Sequence, residues 1–144
     1  MNRILLQAFA TAASAAAVVA SGVVIAGQQD PTASVFTALQ AAAGKVAYAK
    51  NCASCHMPDL TGNNEIPPLA GETFIGTWSS RTTKDLRDYM SAAMPYGGPS
   101  LDAETYTLIT AFVLSFNGAL AGTEKLTATT SVPIRNLTPP RVQH

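Results

Sequence analysis

Charged residues are scarce in this sequence of 144 residues, and the two signs balance. They make up 12% of the chain, with nine Lys and Arg against nine Asp and Glu, and the basic residues form no cluster. A protein that binds nucleic acid needs a positive surface for the phosphates, so this class is excluded. The length allows one domain of ordinary size, and any function must be built on a single core.

Cysteine and histidine are also rare. The only two cysteines, Cys52 and Cys55, are separated by two residues, which excludes a scaffold held by several disulfides. His56 follows directly, and the other histidine, His144, is the last residue. A zinc site needs four ligands, and His144 is the only further Cys or His in the chain. A redox-active dithiol of the thioredoxin type needs a βαβ pattern, which the sequence lacks.

One long stretch without charge stands at the start of the chain. Arg3 is followed by residues 4–26, which contain no charged side chain and are rich in Ala and Val. This pattern predicts a secretory signal peptide over residues 1–26, with small residues at the cleavage point. The stretch is also long enough for a retained N-terminal membrane anchor. Both alternatives place the rest of the chain outside the cytoplasm.

Helical patterns dominate the remainder, and no run of alternating residues is long enough for a sheet. We expect a first helix over residues 35–50, beginning after Asp30-Pro31-Thr32, with Gly44 and Tyr48 at a close helix crossing. Thr82-Thr83-Lys84-Asp85 matches a capping box and opens a second helix, which Pro95 ends. Asp102 is a suitable N-cap for a last helix through Phe116. The predicted fold class is therefore all-α.

Two segments lack such patterns. Residues 57–78 contain three prolines and three glycines, and we expect a long loop there with one helical turn at most, of a length that usually wraps something. Residues 119–144 contain three prolines and no period, and this extended C-terminal tail is expected to lie over the surface or to be partly disordered. The predicted domain between leader and tail covers residues 27–118.

The motif Cys52-Ala53-Ser54-Cys55-His56 carries the chemistry. Residues three apart on a helix share a face, so both thiols point to one place, with the imidazole beside them. Two thiols can form thioethers with the two vinyl groups of a haem, while His56 Nε2 binds the iron. The motif is the sequence signal of covalent c-type haem attachment, which takes place outside the cytoplasm. The predicted cofactor is one haem c.

A second axial ligand must come from another part of the chain. Met1 lies in the leader, Met57 is next to the proximal histidine, and Met90 is expected to fill the core. Met94 lies 38 residues after His56, in a loop stiffened by Pro95, and is the predicted ligand. The alternative is that Met94 only packs against its neighbours.

Over residues 40–118 the chain resembles the class I monohaem cytochromes c, bacterial electron carriers with His and Met ligands. The matching features follow the family's order, and they are Gly44-x-x-x-Tyr48, Cys52-x-x-Cys55-His56, Pro67-Pro68-Leu69, Met94-Pro95 and Ala111-Phe112. Details such as the sequence PPLAG resemble cytochromes that accept electrons from quinoprotein dehydrogenases. Met57 departs from the pattern, because many relatives have Gly after the histidine.

The resemblance implies further site residues and a fold of a few helices and long loops around one haem. The carbonyl of Pro67 would accept the Nδ1 hydrogen of His56 and fix the ring. Trp78 would donate its indole N–H to a haem propionate, or else be a plain core residue. Tyr48, Tyr106 and Phe112 are expected at the crossing of the first and last helices.

The function implied is that of a periplasmic one-electron carrier and not an enzyme. Its expected partners are redox proteins, such as a quinoprotein dehydrogenase as donor and an oxidase or another cytochrome as acceptor, with no nucleic acid. Contact with a membrane is expected only if residues 4–26 are retained. Two alternatives stay open: a membrane-anchored subunit of an oxidoreductase complex, and a ligand-binding or peroxidase-like haem protein with an open sixth site.

Overall fold

The computed structural model describes residues 34–138, and within that range the chain is helical without a β-strand. The five helices are α1 (Ala38–Asn51), α2 (Ala53–His56), α3 (Gly71–Trp78), α4 (Thr83–Ala93) and α5 (Ala103–Phe116). This confirms the predicted all-α class. The predicted leader and residues 139–144 lie outside the described residues. Among the helices described, none has the length and apolar character needed to span a membrane.

Side-chain caps set where three of the helices begin. Thr82 and Asp85 form the predicted capping box of α4, and the Asp102 carboxylate accepts the Thr105 N–H at the start of α5. The start predicted for α1 is wrong, because this helix begins at Ala38, after Thr37. The Thr37 hydroxyl accepts the Gln40 N–H, which makes Thr37 the N-cap.

The core is centred on the crossing of α1 and α5, as predicted from Gly44 and Tyr48. A Cβ atom placed on Gly44 would lie 1.9 Å from the carbonyl oxygen of Leu108, so the two backbones meet closer than any side chain allows. One turn later, the rings of Tyr48 and Phe112 pack with their centroids 5.2 Å apart. The crossing joins the start and end of the domain.

The expectation of at most one helical turn within residues 57–78 is wrong, since α3 forms two turns there and buries Phe74 and Trp78. Its start has no local side-chain cap. The Asn117 amide oxygen instead accepts the Gly71 N–H at 3.0 Å, and its NH₂ group donates to the Leu69 carbonyl at 2.9 Å. The residue that caps the start of α3 therefore lies 46 residues after it in the sequence.

Residues 119–138 form a strap across the helices, with one short 3₁₀ turn at Ile134–Asn136. The Gln40 side chain donates to the Leu126 carbonyl and accepts the Leu126 N–H, which fixes the strap to α1. At the other end, the Ile134 N–H donates to the carbonyl of Arg81 at 2.9 Å. The apolar residues of the strap that are buried are Ala119, Leu126, Ile134 and Leu137. This part of the tail therefore completes the core.

Candidate functional site

His56 occupies the last position of α2 and is buried, with 7% of its surface exposed. Its Nδ1 atom lies 3.0 Å from the carbonyl oxygen of Pro67, the contact that the family resemblance implies. A carbonyl can only accept, so this contact places the ring proton on Nδ1. Nε2 is left with its lone pair and has no hydrogen-bond partner among residues 34–138. The contact with Pro67 fixes the orientation of the ring and leaves Nε2 able to bind a metal ion.

Cys52 and Cys55 lie on the turn that carries His56. The Cys52 N–H closes the end of α1, and the Cys52 carbonyl accepts from His56 N at 2.9 Å, so one turn of backbone fixes all three residues. Cys52 is half-buried and Cys55 is exposed. Burial, with a smaller effect of Cys55, raises the pKa of the Cys52 thiol to about 11. A redox-active dithiol needs a thiolate of low pKa, so this environment disfavours that alternative.

A cavity of about 290 Å³ opens beside the imidazole of His56. Four of the predicted site residues, His56, Pro67, Trp78 and Met94, line it together, although they come from four separate parts of the chain. The other residues of its wall are mainly apolar: Pro68, Leu69, Thr73, Phe74, Thr77, Arg81, Leu86 and Tyr89. Of these wall residues, Tyr89 is 50% exposed.

Met94 follows α4 directly, and its backbone N–H donates to the carbonyl of Met90 at 2.9 Å. This bond closes the last turn of α4 and places the Met94 side chain in the cavity wall. Met90 itself packs against the core, as expected. The structure thus brings one thioether and one imidazole to the same cavity.

Trp78 and Arg81 form one polar part of this wall. The guanidinium carbon of Arg81 lies 5.0 Å from the centre of the Trp78 ring, a cation–π arrangement. Within residues 34–138, Arg81 makes no ion pair and the indole N–H of Trp78 has no acceptor. Sequence reasoning missed Arg81, whose only signal was its position one turn after the single tryptophan. An anion at the cavity could therefore bind to the Arg81 guanidinium and accept a hydrogen bond from the Trp78 indole N–H.

A zinc site is not formed by these residues. In the described part of the chain, no three side chains of His, Cys, Asp or Glu come close enough to hold a metal ion together.

Comparison with known families identifies the chain. Residues 39–113, more than half of the sequence, match the family model described as cytochrome c oxidase, cbb3-type, subunit III. The chain belongs to this family and is a class I c-type cytochrome, an electron-transfer protein with covalently bound haem c. No curated protein and no solved structure gave a significant match.

The cavity fits the haem that the family implies. A haem is a flat, mostly apolar ring with two carboxylates, and the cavity has apolar walls with a cation and a free N–H donor at Arg81 and Trp78. The Nε2 lone pair of His56 and the thioether of Met94 are the two ligand types that the iron of such proteins takes. Cys52 and Cys55 fit the attachment motif.

Met57, the residue that departs from the family pattern, has a backbone conformation that favours glycine. Its φ is 64° and its ψ is 152°, a region that residues with a Cβ atom rarely adopt. The Tyr48 hydroxyl donates to the Met57 carbonyl at 2.7 Å and holds the turn in place. The Met57 side chain is 40% exposed and does not belong to the core. Strain of this kind costs on the order of 1–3 kcal/mol.

We expect Met57→Gly to raise the free energy of unfolding of the holoprotein by about 1 kcal/mol, because the relieved strain exceeds the backbone entropy that glycine adds. The measurement is urea unfolding followed by circular dichroism. Met57→Ala is the matched control, since it removes the same side chain but keeps the Cβ atom, and it should not gain stability. Equal stability of the two variants would show that the turn is not strained.

Proposed function

We propose that this chain is an exported one-electron carrier in which His56 and Met94 are the axial ligands of the haem iron. In this proposal Cys52 and Cys55 form the two thioether bonds. The observation that carries it is the meeting of His56 and Met94 at one cavity, with His56 Nδ1 bonded to Pro67 and Nε2 left free. The bound haem supplies the one-electron chemistry, as its iron alternates between the ferric and ferrous states.

The chain's own residues explain why transfer would be fast. Pro67 fixes the His56 ring, and the backbone bond to Met90 fixes the residue that carries the thioether, so neither ligand has to move between oxidation states. A soft thioether favours ferrous iron and raises the reduction potential, and the apolar walls act in the same direction. If His56 and Met94 both held the iron, oxygen or peroxide would have to displace one of them, which favours a carrier over a peroxidase.

Trp78 and Arg81 complete the proposed site. The indole N–H and the guanidinium would bind a haem propionate, which gives the indole an acceptor and the exposed Arg81 cation a partner of opposite charge. Trp78 would therefore serve both as part of the core, where it packs 6.4 Å from Phe74, and as a donor. The strap adds to this, because its bond to the Arg81 carbonyl keeps the wall in place.

The export part of the proposal rests on the leader and on the haem motif. We propose that residues 1–26 are removed as a signal peptide, which leaves the domain at 27–118 and the tail in the periplasm. The intact mass of the purified holoprotein decides this point. A mature chain that begins near Gly27 supports it, whereas a chain that still carries residues 4–26 would favour the anchor.

A second candidate is a membrane-anchored cytochrome subunit of an oxidoreductase complex. The family description, an oxidase subunit, and the uncharged stretch 4–26 favour it. The donor we propose is a quinoprotein dehydrogenase, on the softer likeness of PPLAG, and the acceptor an oxidase or another cytochrome. Co-purification of the intact chain with oxidase subunits would support the second candidate over the free carrier.

A potentiometric titration of the full-length holoprotein tests the proposed function. We expect one reversible step that fits a one-electron curve, with the same spectra in both directions, and no turnover of peroxide. Steady peroxide consumption with a reducing dye would instead indicate the peroxidase-like alternative. The Cys52→Ala, Cys55→Ala double variant is the control, since it should retain no haem after denaturation and acid extraction.

A further inference from the structure

One hydroxyl group ties both ends of the loop that follows Met94. The Tyr106 side chain rises from the first turns of α5 and is buried, with 2% of its surface exposed. Its hydroxyl donates a short hydrogen bond to the Met94 carbonyl and accepts the Leu101 N–H at 3.1 Å. The sequence suggested only a core residue at the helix crossing. The structure instead places its polar end on the predicted ligand loop.

Among the described residues, the Tyr106 hydroxyl is the partner of two backbone groups, and its third contact is Ser100 Oγ at 3.5 Å. Within residues 34–138, neither the Met94 carbonyl nor the Leu101 N–H has a second partner, and a buried polar group without a partner is costly. The Met94 N–H is already bonded to α4 through Met90. The backbone of Met94 is therefore fixed on one side by α4 and on the other by α5, with Tyr106 as the only link to α5 through a hydrogen bond.

The rest of this loop has little else to fix it. Tyr96 is 94% exposed, and Gly97 has a positive φ of 70° with open space where its Cβ would be. The one backbone bond inside the loop runs from the Gly98 N–H to the Pro95 carbonyl at 3.1 Å. Since that bond is local, it does not attach the loop to the domain. Leu101 packs against the core at the end of the loop, and the Tyr106 hydroxyl supplies the hydrogen bonds to α5.

We propose that Tyr106 is a positioning residue that holds the Met94 thioether at the cavity and so sets how easily an external ligand replaces it. This rests on the proposed function, because it takes Met94 as the axial ligand. A methionine sulfur is a neutral and weak ligand, so its hold on the iron depends on how firmly the protein keeps it in place. Loss of the Tyr106 hydroxyl frees the Met94 carbonyl and widens the range of positions of the side chain.

The test is imidazole binding to the full-length ferric holoprotein, followed by absorption spectroscopy, with the reduction potential as a second readout. Tyr106→Phe keeps the ring and removes the hydroxyl. We expect its imidazole affinity to rise on the order of tenfold over the wild type, the scale of one lost buried hydrogen bond, and its potential to fall. If Tyr106→Phe does not accumulate, Tyr106→Leu removes the same hydroxyl and is expected to change both readouts in the same direction.

Two controls separate positioning from general stability. Tyr96→Phe removes a hydroxyl from the same loop, where it makes no hydrogen bond to a described residue, and should bind imidazole like the wild type. Thr110→Val removes a buried hydroxyl of α5 that donates to the Tyr106 carbonyl at 2.8 Å, away from Met94. It should lower the resistance to urea without changing imidazole affinity.

The outcomes distinguish this proposal from the proposed function. Folded Tyr106 variants with wild-type affinity and potential would overturn the positioning role, as would an equal rise in Thr110→Val. A wild-type protein that binds imidazole as tightly as Met94→Ala would overturn the ligand role of Met94 itself, and the positioning role with it.

Discussion

Met94→Ala should turn a closed haem site into an open one. We expect the reduced variant to bind carbon monoxide, and its reduction potential to fall on the order of 0.1 V, within the roughly 0.8 V over which axial ligands tune haem proteins. The reason lies in the cavity wall, where the described residues include no Met, His or Cys besides Met94 and His56, and His56 is the other proposed ligand. Absorption spectra with carbon monoxide and a potentiometric titration measure both effects.

Met90→Leu is the matched control for this prediction. Met90 is the other methionine of α4, and it packs against the core rather than lining the cavity. A change of thioether to a branched alkyl group at that position conserves volume, so the potential and the closed site should stay as in the wild type. A potential that moves in Met90→Leu but not in Met94→Ala would mean that the ligand has been assigned to the wrong methionine.

Gly44→Ala should destabilise the protein severely, by at least about 3 kcal/mol, the upper end of what overpacking costs. The added methyl group would lie 1.9 Å from the Leu108 carbonyl oxygen and 2.9 Å from Phe112 Cβ. Since the nearest of these atoms is backbone, no side-chain rotation relieves the clash, and α1 has to move away from α5. Urea unfolding of the holoprotein, or a failure to accumulate it, gives the result.

Gly76→Ala is the matched control, because it makes the same chemical change at a glycine that has open space for a Cβ atom. Gly76 lies in α3 with nothing within 4 Å of the added Cβ atom, and alanine favours a helix more than glycine does. We expect a gain of about 0.5–1 kcal/mol. If both variants lost stability alike, the effect at residue 44 would reflect glycine in general and not the helix crossing.

The sequence predicts best what local patterns determine. The capping box at Thr82 and the N-cap at Asp102 involve residues three apart, and both helices begin where expected. The haem motif is also local, which is why Cys52, Cys55 and His56 could be named at once. The family resemblance added the Pro67 contact, which no spacing rule would have given.

Contacts between distant residues account for what the sequence did not predict. Asn117 caps helix α3, and Gln40 holds the strap. Both contacts join distant residues, so no local sequence pattern predicts the helix or the position of the strap. In α1 the apolar residues Leu39 and Val46 are 82% and 72% exposed, because α5 packs on the face of Gly44, where the backbones can approach. The proposed roles of Arg81 and Tyr106 depend on their contacts with Trp78 and Met94, which only the folded structure shows.

A haem iron held by both His56 and Met94 should give the reduced full-length holoprotein the same absorption spectrum before and after the addition of carbon monoxide. We expect no change, because His56 and Met94 would leave the gas no free position. A shifted haem band in the wild type would contradict it, since the sixth position would then be open or only weakly held.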